Sequence, residues 1–150
     1  MNIITQLTQH MNTILTVAAA EHSLALRSTD LRGSQLTYLL AVCRCPGASQ
    51  ETLAGLLGVD KSNVARQMTE LESLGYVSRR RDESDRRRMF VDPTDRAFEV
   101  LPTLVNIVSE CQHELTRGMS AEETELLCEL IARMAHNAAR LTAQHKAYDD

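Results

Sequence analysis

Apolar residues recur at helical spacing near the start of the chain. Ile4, Leu7, Met11 and Ile14 follow one another at intervals of three or four residues. That spacing predicts one face of a long helix over residues 2–27. A helix of this length cannot leave its apolar stripe in water, so the pattern also predicts a partner for that face.

Three shorter helices are predicted between residues 34 and 74. The first covers 34–44 and ends at a Cys-Pro-Gly break. Ser49 is suited to cap the second, over 50–57, because its hydroxyl can accept an unpaired backbone N–H. Gly58 ends that helix, Asp60 is predicted to cap the third, and a glycine at 75 stops it.

A hairpin is predicted next. Val77–Arg81 and Arg88–Val91 flank a polar stretch over 82–87. Two short segments that hold branched and aromatic residues around a charged turn are typical of two antiparallel strands.

Two further helices are predicted at the C-terminal end. The fifth begins near Thr94, and Pro102 should kink it or mark its real beginning. Ser120 and Glu123 have the spacing of a capping box, which predicts the start of the sixth helix. Its apolar positions resemble a helix-packing seam and are Leu127, Leu130, Ile131, Met134, Ala138 and Leu141.

The second and third short helices have the pattern of a helix-turn-helix. Ala54 is small enough for two helices to cross closely, Gly58 tolerates the turn, and Val64 is a branched apolar anchor. If these residues pack inward, four polar side chains of the next helix are predicted to face outward, where Arg can read guanine and Asn or Gln adenine. They are Ser62, Asn63, Arg66 and Gln67. Lys61, at the helix start, is a candidate phosphate ligand. An ordinary polar helix face is the alternative.

The charge distribution favours nucleic acid over that alternative. The net charge is −4, yet residues 59–91 carry +2 and the rest −6, and six arginines lie within ten residues at 79–88. A wing this rich in arginine can enter the negative potential of a narrow minor groove. Aromatic content is only 3%, so the core must be mainly aliphatic.

The run from Leu53 to Thr94 resembles the MarR family from its helix-turn-helix through its wing. The stretch from Leu71 to Arg79, with Gly75, Tyr76 and Val77, is similar to the family's link between recognition helix and wing. Asp85-Arg86-Arg87 is similar to its wing tip, and family precedent implies that Asp85 orients a wing arginine while Arg87 reaches the minor groove. Pro93-Thr94 and Ala97 depart from the usual Leu-Thr and glycine, which bears on the start of the fifth helix.

The resemblance implies a mainly α fold with a small β-wing, about six helices and a two- to three-stranded sheet. It implies a single domain, with a DNA-binding lobe at 34–93 and dimerisation helices at 1–30 and 94–148. The predicted DNA contacts are Lys61, Ser62, Asn63, Arg66, Gln67, Arg79, Asp85, Arg86 and Arg87. The predicted dimer contacts are Ile4, Leu7, Met11, Leu127, Leu130, Ile131, Met134 and Leu141.

The function expected from this resemblance is transcriptional regulation. A homodimeric repressor would bind a palindromic operator, with half-sites ~34 Å apart. A small-molecule effector of unknown identity would release it by entering a cleft among the first, second and fifth helices. A winged-helix adaptor that docks proteins is the alternative from another class.

Other chemistries are less favoured by the residues. Cys43 and Cys45 flank Arg44, which could promote a thiolate, so a redox-responsive regulator stays an alternative to idle thiols. No metal-ligand spacing and no hydrolase, nucleotide or dinucleotide motif is present, so neither an enzyme nor a cofactor is expected. The chain shows no secretory signal and no membrane span, and a cytoplasmic location is expected.

Overall fold

The computed structural model describes residues 2–149, with side chains described through residue 141. Along that range the elements are α1 (Ile3–Ala25), α2 (Gly33–Arg44), β1 (Ala48–Ser49), α3 (Gln50–Leu57), α4 (Lys61–Ser73), β2 (Val77–Arg81), β3 (Met89–Pro93), α5 (Asp95–Leu115) and α6 (Ala121–Asp149). The predicted fold class, mainly helical with a small β-wing, is confirmed.

The sheet has three antiparallel strands in the order β1-β3-β2. The β2–β3 hairpin runs in register from Val77 opposite Pro93 to Arg81 opposite Met89. On its other side β3 pairs with β1, Ala48 opposite Val91. β1 has no local sequence signal, because two residues carry no periodicity and only the distant β3 makes them a strand.

The buried core lies around α2, α4 and β3. Leu36, Leu39 and Val42 of α2 are fully buried, as are Met68 and Leu71 of α4. Leu40 is only partly buried and packs on the edge of this core. The apolar periodicity of the short helices therefore encodes the core of a winged helix.

Local signals place the helix ends. The Ser49 hydroxyl accepts the Thr52 backbone N–H at 3.1 Å, which confirms it as the cap of α3. Asp60 stands at the N-cap position of α4 but makes no side-chain capping bond. At α6 the predicted capping box is complete, since Glu123 N donates to the Ser120 hydroxyl and Ser120 N to the Glu123 carboxylate.

Helices α1 and α2 approach closely at Gly33. A Cβ on this residue would lie 2.8 Å from the backbone nitrogen of Ser23 and 2.4 Å from its hydroxyl oxygen. No side chain fits at that separation without moving α1. Glycine is therefore required here by proximity, and it sets how α1 lies on the winged-helix core.

Helix α5 begins at Asp95 and continues through Pro102. The prediction of its start near Thr94 is confirmed, and Pro102 does not mark its beginning. Proline has no N–H, so the carbonyl of Phe98 loses its usual donor there. The described chain forms two compact units, one that ends at Gln112 and one that begins at His113.

Candidate nucleic-acid interface

Helices α3 and α4 form the helix-turn-helix that the sequence predicts. Ala54 and Val64 are buried, and Gly58 ends α3 in the left-handed region with φ +65°. The Val59 N–H donates to the Ala54 carbonyl at 3.1 Å, which tightens the turn. This packing orients α4 with its polar N-terminal half toward solvent.

Three of the polar residues of α4 form an exposed cluster at its start. Lys61, Ser62 and Arg66 are exposed, and Asn63 is partly buried. An Arg66 guanidinium nitrogen donates to the Asn63 side-chain oxygen at 3.0 Å. The pair leaves most of the guanidinium donors unused, so Arg66 is restrained without being neutralised.

Gln67 does not belong to this exposed cluster. Gln67 is only 7% exposed, and its side-chain oxygen has no hydrogen-bond partner among the described residues. The prediction that Gln67 faces outward is therefore wrong. It lies three residues after Val64 and four before Leu71, which places it on the core face of the helix, and that spacing was visible in the sequence.

Arg79, predicted as a DNA contact, connects the wing to α4. Its guanidinium donates twice to one Glu72 carboxylate oxygen, at 2.7 and 2.9 Å, and once to the Thr69 hydroxyl at 3.0 Å. The side chain is 19% exposed. The hydrogen bond from Arg79 also lowers the pKa of the Glu72 carboxyl. Its contacts are those of a structural arginine.

Arg80 and Arg88 also have intramolecular partners. Both guanidinium groups lie over the Phe90 ring, at 4.6 and 5.5 Å from its centroid. Arg80 pairs with Asp92 at 3.4 Å, and Arg88 with Asp82 at 3.9 Å. Sequence spacing could have indicated the first contact, because Arg80 is directly opposite Phe90 in the hairpin.

The wing tip is shaped by two aspartates. The Asp85 carboxylate accepts the backbone N–H of Arg87 at 3.0 Å, while Asp82 accepts the Ser84 N–H at 2.9 Å and hydroxyl at 2.7 Å. The Ser84 bonds lower the pKa of Asp82. Asp85 thus positions Arg87 through the backbone rather than through an ion pair.

Three wing arginines remain available for a ligand. Arg81, Arg86 and Arg87 are exposed, and within the part of the chain that the structure describes no ion pair or hydrogen bond holds their side chains. Together with Lys61 and Arg66 they form the cationic face of the winged helix, defined here as Lys61, Arg66, Arg81, Arg86 and Arg87.

A second set of charges, which no local sequence pattern predicts, joins the residue before β2 to α5. Asp30 accepts the Tyr76 hydroxyl at 2.6 Å and an Arg96 guanidinium N–H at 2.7 Å, and that guanidinium lies 4.5 Å from the Tyr76 ring centroid. The Tyr76 bond lowers the pKa of Asp30, and burial raises that of Tyr76. The three residues, the Asp30 cluster, are far apart in sequence, and no local pattern joins them.

The cysteine pair lies at the C-terminal end of α2. Cys43 and Cys45 are partly buried free thiols. Burial raises the pKa of Cys43, which opposes the effect expected from Arg44 and disfavours a thiolate at neutral pH. Cys43 lines a cleft of about 330 Å³ between α2 and α5, whose other walls include Leu40, Arg44, Leu101 and Val108.

The predicted dimer contacts on the terminal helices are all solvent-exposed in the single chain. Their exposed fractions range from 38% to 66%. The residues are Ile4, Leu7 and Met11 of α1 and Leu127, Leu130, Ile131, Met134 and Leu141 of α6.

Among the residues that the structure describes, no group of His, Cys, Asp or Glu side chains could hold a metal ion, and no helix is long and apolar enough to cross a membrane.

A helix-turn-helix followed by a hairpin with exposed arginines defines a winged helix-turn-helix protein. A family model described as the MarR family matches residues 29–88, which span α2 through the wing tip. This winged-helix part of the chain is therefore similar to the MarR family.

Solved structures of that family share the fold. A crystal structure of MarR is 28% identical, covers 96% of this chain and 98% of its own, and has a TM-score of 0.79. The transcriptional regulator SlyA is 25% identical over 89% of this chain and 94% of its own, with a TM-score of 0.83. A mutant MarR from E. coli, complexed with operator DNA, is 21% identical over 87% and 94%, with a TM-score of 0.76.

Proposed function

We propose that this protein is a homodimeric repressor that binds a palindromic DNA operator through its cationic face. The observation that carries the proposal is the sorting of the arginines. Arg79, Arg80 and Arg88 have carboxylate partners, whereas the wing-tip arginines and Arg66 keep donors free. Free guanidinium groups on a projecting hairpin suit duplex DNA, whose backbone is an array of phosphates.

In this proposal the two parts of the cationic face read different grooves. The start of α4 enters the major groove, where Arg66 and Asn63 contact base edges and Lys61 and Ser62 contact phosphates. The hairpin lies along the adjacent minor groove and presents Arg86 and Arg87. A mutant MarR that shares this fold is complexed with operator DNA, which supports duplex DNA as the ligand.

The homodimer is proposed from the exposed apolar residues of α1 and α6. Ile4, Leu7, Leu130 and Ile131 are each more than a third exposed, and an exposed apolar stripe on a helix marks an interface. Two-fold symmetry would pair identical surfaces and place two copies of α4 about one helical turn of DNA apart, ~34 Å.

The cleft between α2 and α5 is the proposed effector site. Its volume of about 330 Å³ and its walls of Leu40, Leu101, Val105 and Val108 suit a small apolar molecule, and Arg44 adds a cation. An effector acts by binding one arrangement of the helices better than another, and here it would release the operator. The DNA target implies action in the cytoplasm.

Selection of bound sequences from random duplex DNA, at controlled salt, tests the function. We expect a palindrome with half-sites about one turn apart, bound by two chains. Sequence-independent binding alone would contradict an operator-binding repressor. Affinity that does not change with salt would instead indicate a protein-docking role, because phosphate contacts release counterions.

Arg87→Ala tests the wing within the same assay. We expect weaker binding to many sequences and a salt dependence flattened by about one unit, as for one lost phosphate contact. Arg27→Ala, at an exposed arginine that follows α1 and lies outside the cationic face, is the matched comparison. Unchanged affinity for Arg87→Ala would remove this residue from the interface.

A further inference from the structure

A cavity of about 290 Å³ lies on the proposed DNA-binding surface, between the starts of α3 and α4 and the wing. Lys61, Arg87 and Arg88 line it, so three cations surround this space. Gln50 lines it as well, and its buried amide nitrogen has no hydrogen-bond partner among the described residues. Such a cavity is suited to an anion.

One anion is already present there, in the side chain of Glu51. Its carboxylate accepts a hydrogen bond from the Lys61 ammonium, and both side chains are more than half exposed. This bond and the nearby Arg88 lower the pKa of Glu51, so the carboxylate is ionised at neutral pH.

Glu51 also stands in the first turn of α3. The start of a helix attracts anions, because its unpaired N–H groups and its dipole are positive. In a helix-turn-helix the first helix crosses the DNA backbone while the second enters the groove. Glu51 therefore occupies the place to which a backbone phosphate would be attracted. It also pairs with Lys61, the lysine that would bind that phosphate.

We propose that Glu51 competes with DNA phosphate for Lys61 and so weakens the binding of duplex DNA of every sequence. This inference rests on the proposed function, in which Lys61 is a phosphate ligand. To bind DNA, Lys61 must leave Glu51 or hold both anions, and either event opposes association. Because phosphates carry no sequence information, the effect on operator and on unrelated duplex is the same factor.

Glu51→Gln tests the proposal, with an operator duplex and a random duplex as probes. We expect affinity for both to rise about two- to fivefold, the scale of one exposed ion pair. The salt dependence should steepen by up to about one unit, because Lys61 then neutralises a phosphate fully. Glu99→Gln, at an exposed glutamate of α5, makes the same change in net charge and should have a smaller effect.

The Lys61→Gln background separates competition from simple repulsion. If Glu51 acts through Lys61, Glu51→Gln has no effect in that background. Three results would each overturn the proposal. They are unchanged or weaker DNA binding by Glu51→Gln, an effect on affinity equal to that of Glu99→Gln, and an effect that persists without Lys61. If the wild-type protein selects an operator and Glu51→Gln does not change its affinity, this inference alone is wrong. If the wild-type protein binds no DNA, both this inference and the proposed function are wrong.

Discussion

The winged-helix core and helix α6 use similar apolar residues in opposite ways. Leu36, Leu39, Met68 and Leu71 are completely covered within one chain. In α6, by contrast, none of residues 121–141 is buried, although its leucines recur at the same helical spacing. The comparison teaches that apolar periodicity predicts that a face will be covered, but not whether the same chain covers it.

A charge on α6 tests whether a second chain covers this face. Leu130→Asp should raise the dissociation constant of the proposed dimer by roughly 10²–10⁴, because two buried leucines, each contributing about 1.5–3 kcal/mol, are lost by symmetry. Sedimentation over a concentration series measures it. His136→Asp, on the opposite face of the helix, is the control. An unchanged assembly state would show that this face is not the interface.

A truncation in the core should behave differently. Leu71→Ala should lower the free energy of unfolding by about 2–5 kcal/mol, the transfer and cavity terms of a fully buried leucine. Denaturant unfolding at a fixed protein concentration measures this loss, and Leu130→Ala is the matched substitution at a site 44% exposed. If the folded Leu71→Ala protein dissociates more readily than Leu130→Ala, the contrast between the two regions fails.

Gly33 lies at the contact between α1 and the winged-helix core. Gly33→Ala should destabilise the protein by about 1–3 kcal/mol, since the added Cβ would overlap the backbone of Ser23. Gly55→Ala is the control, because nothing lies within 4 Å of a Cβ there and alanine favours a helix. A stabilised Gly33→Ala protein would mean that α1 moves freely relative to α2.

The smallest expected effect concerns the Asp30 cluster. The Tyr76 hydroxyl, and then Arg96, depress the pKa of Asp30 below its ordinary value of 3.8. A depressed carboxyl pKa stabilises the fold above the unfolded value, and this stability is lost as pH falls through the folded value. The destabilisation caused by Asp30→Asn should therefore be full at pH 6 and shrink below about pH 4.

The magnitude of that loss is about 1 kcal/mol or less, because the Asp30 side chain is 40% exposed and solvent screens the pair. Unfolding free energies measured from pH 6 to pH 2 check the prediction. Asp95→Asn, at an exposed aspartate at the start of α5, is the comparison. A difference between wild type and Asp30→Asn that grows toward low pH would contradict it.

Much of the interface could be predicted from local sequence. Ser49, Gly58 and the Ser120–Glu123 capping box act within a few residues of themselves, so their sequence context suffices to locate helix ends. The exposed positions of Lys61, Ser62 and Arg66 follow from the helical period once Ala54 and Val64 are assigned to the core. Gln67 follows the same helical period, which places it on the buried face. The prediction that it faces outward was wrong because it relied on the polarity of the side chain alone.

Only the tertiary structure decided which arginines remain free and how the wing is attached. Arg79 pairs with Glu72, and Arg96 with Asp30, across separations of 7 and 66 residues. β1 exists only because β3 lies beside it. Such partners come together after the core has packed, and one sequence offers many carboxylates to each arginine. Periodicity determined the winged helix, whereas long-range packing determined the charges that it presents.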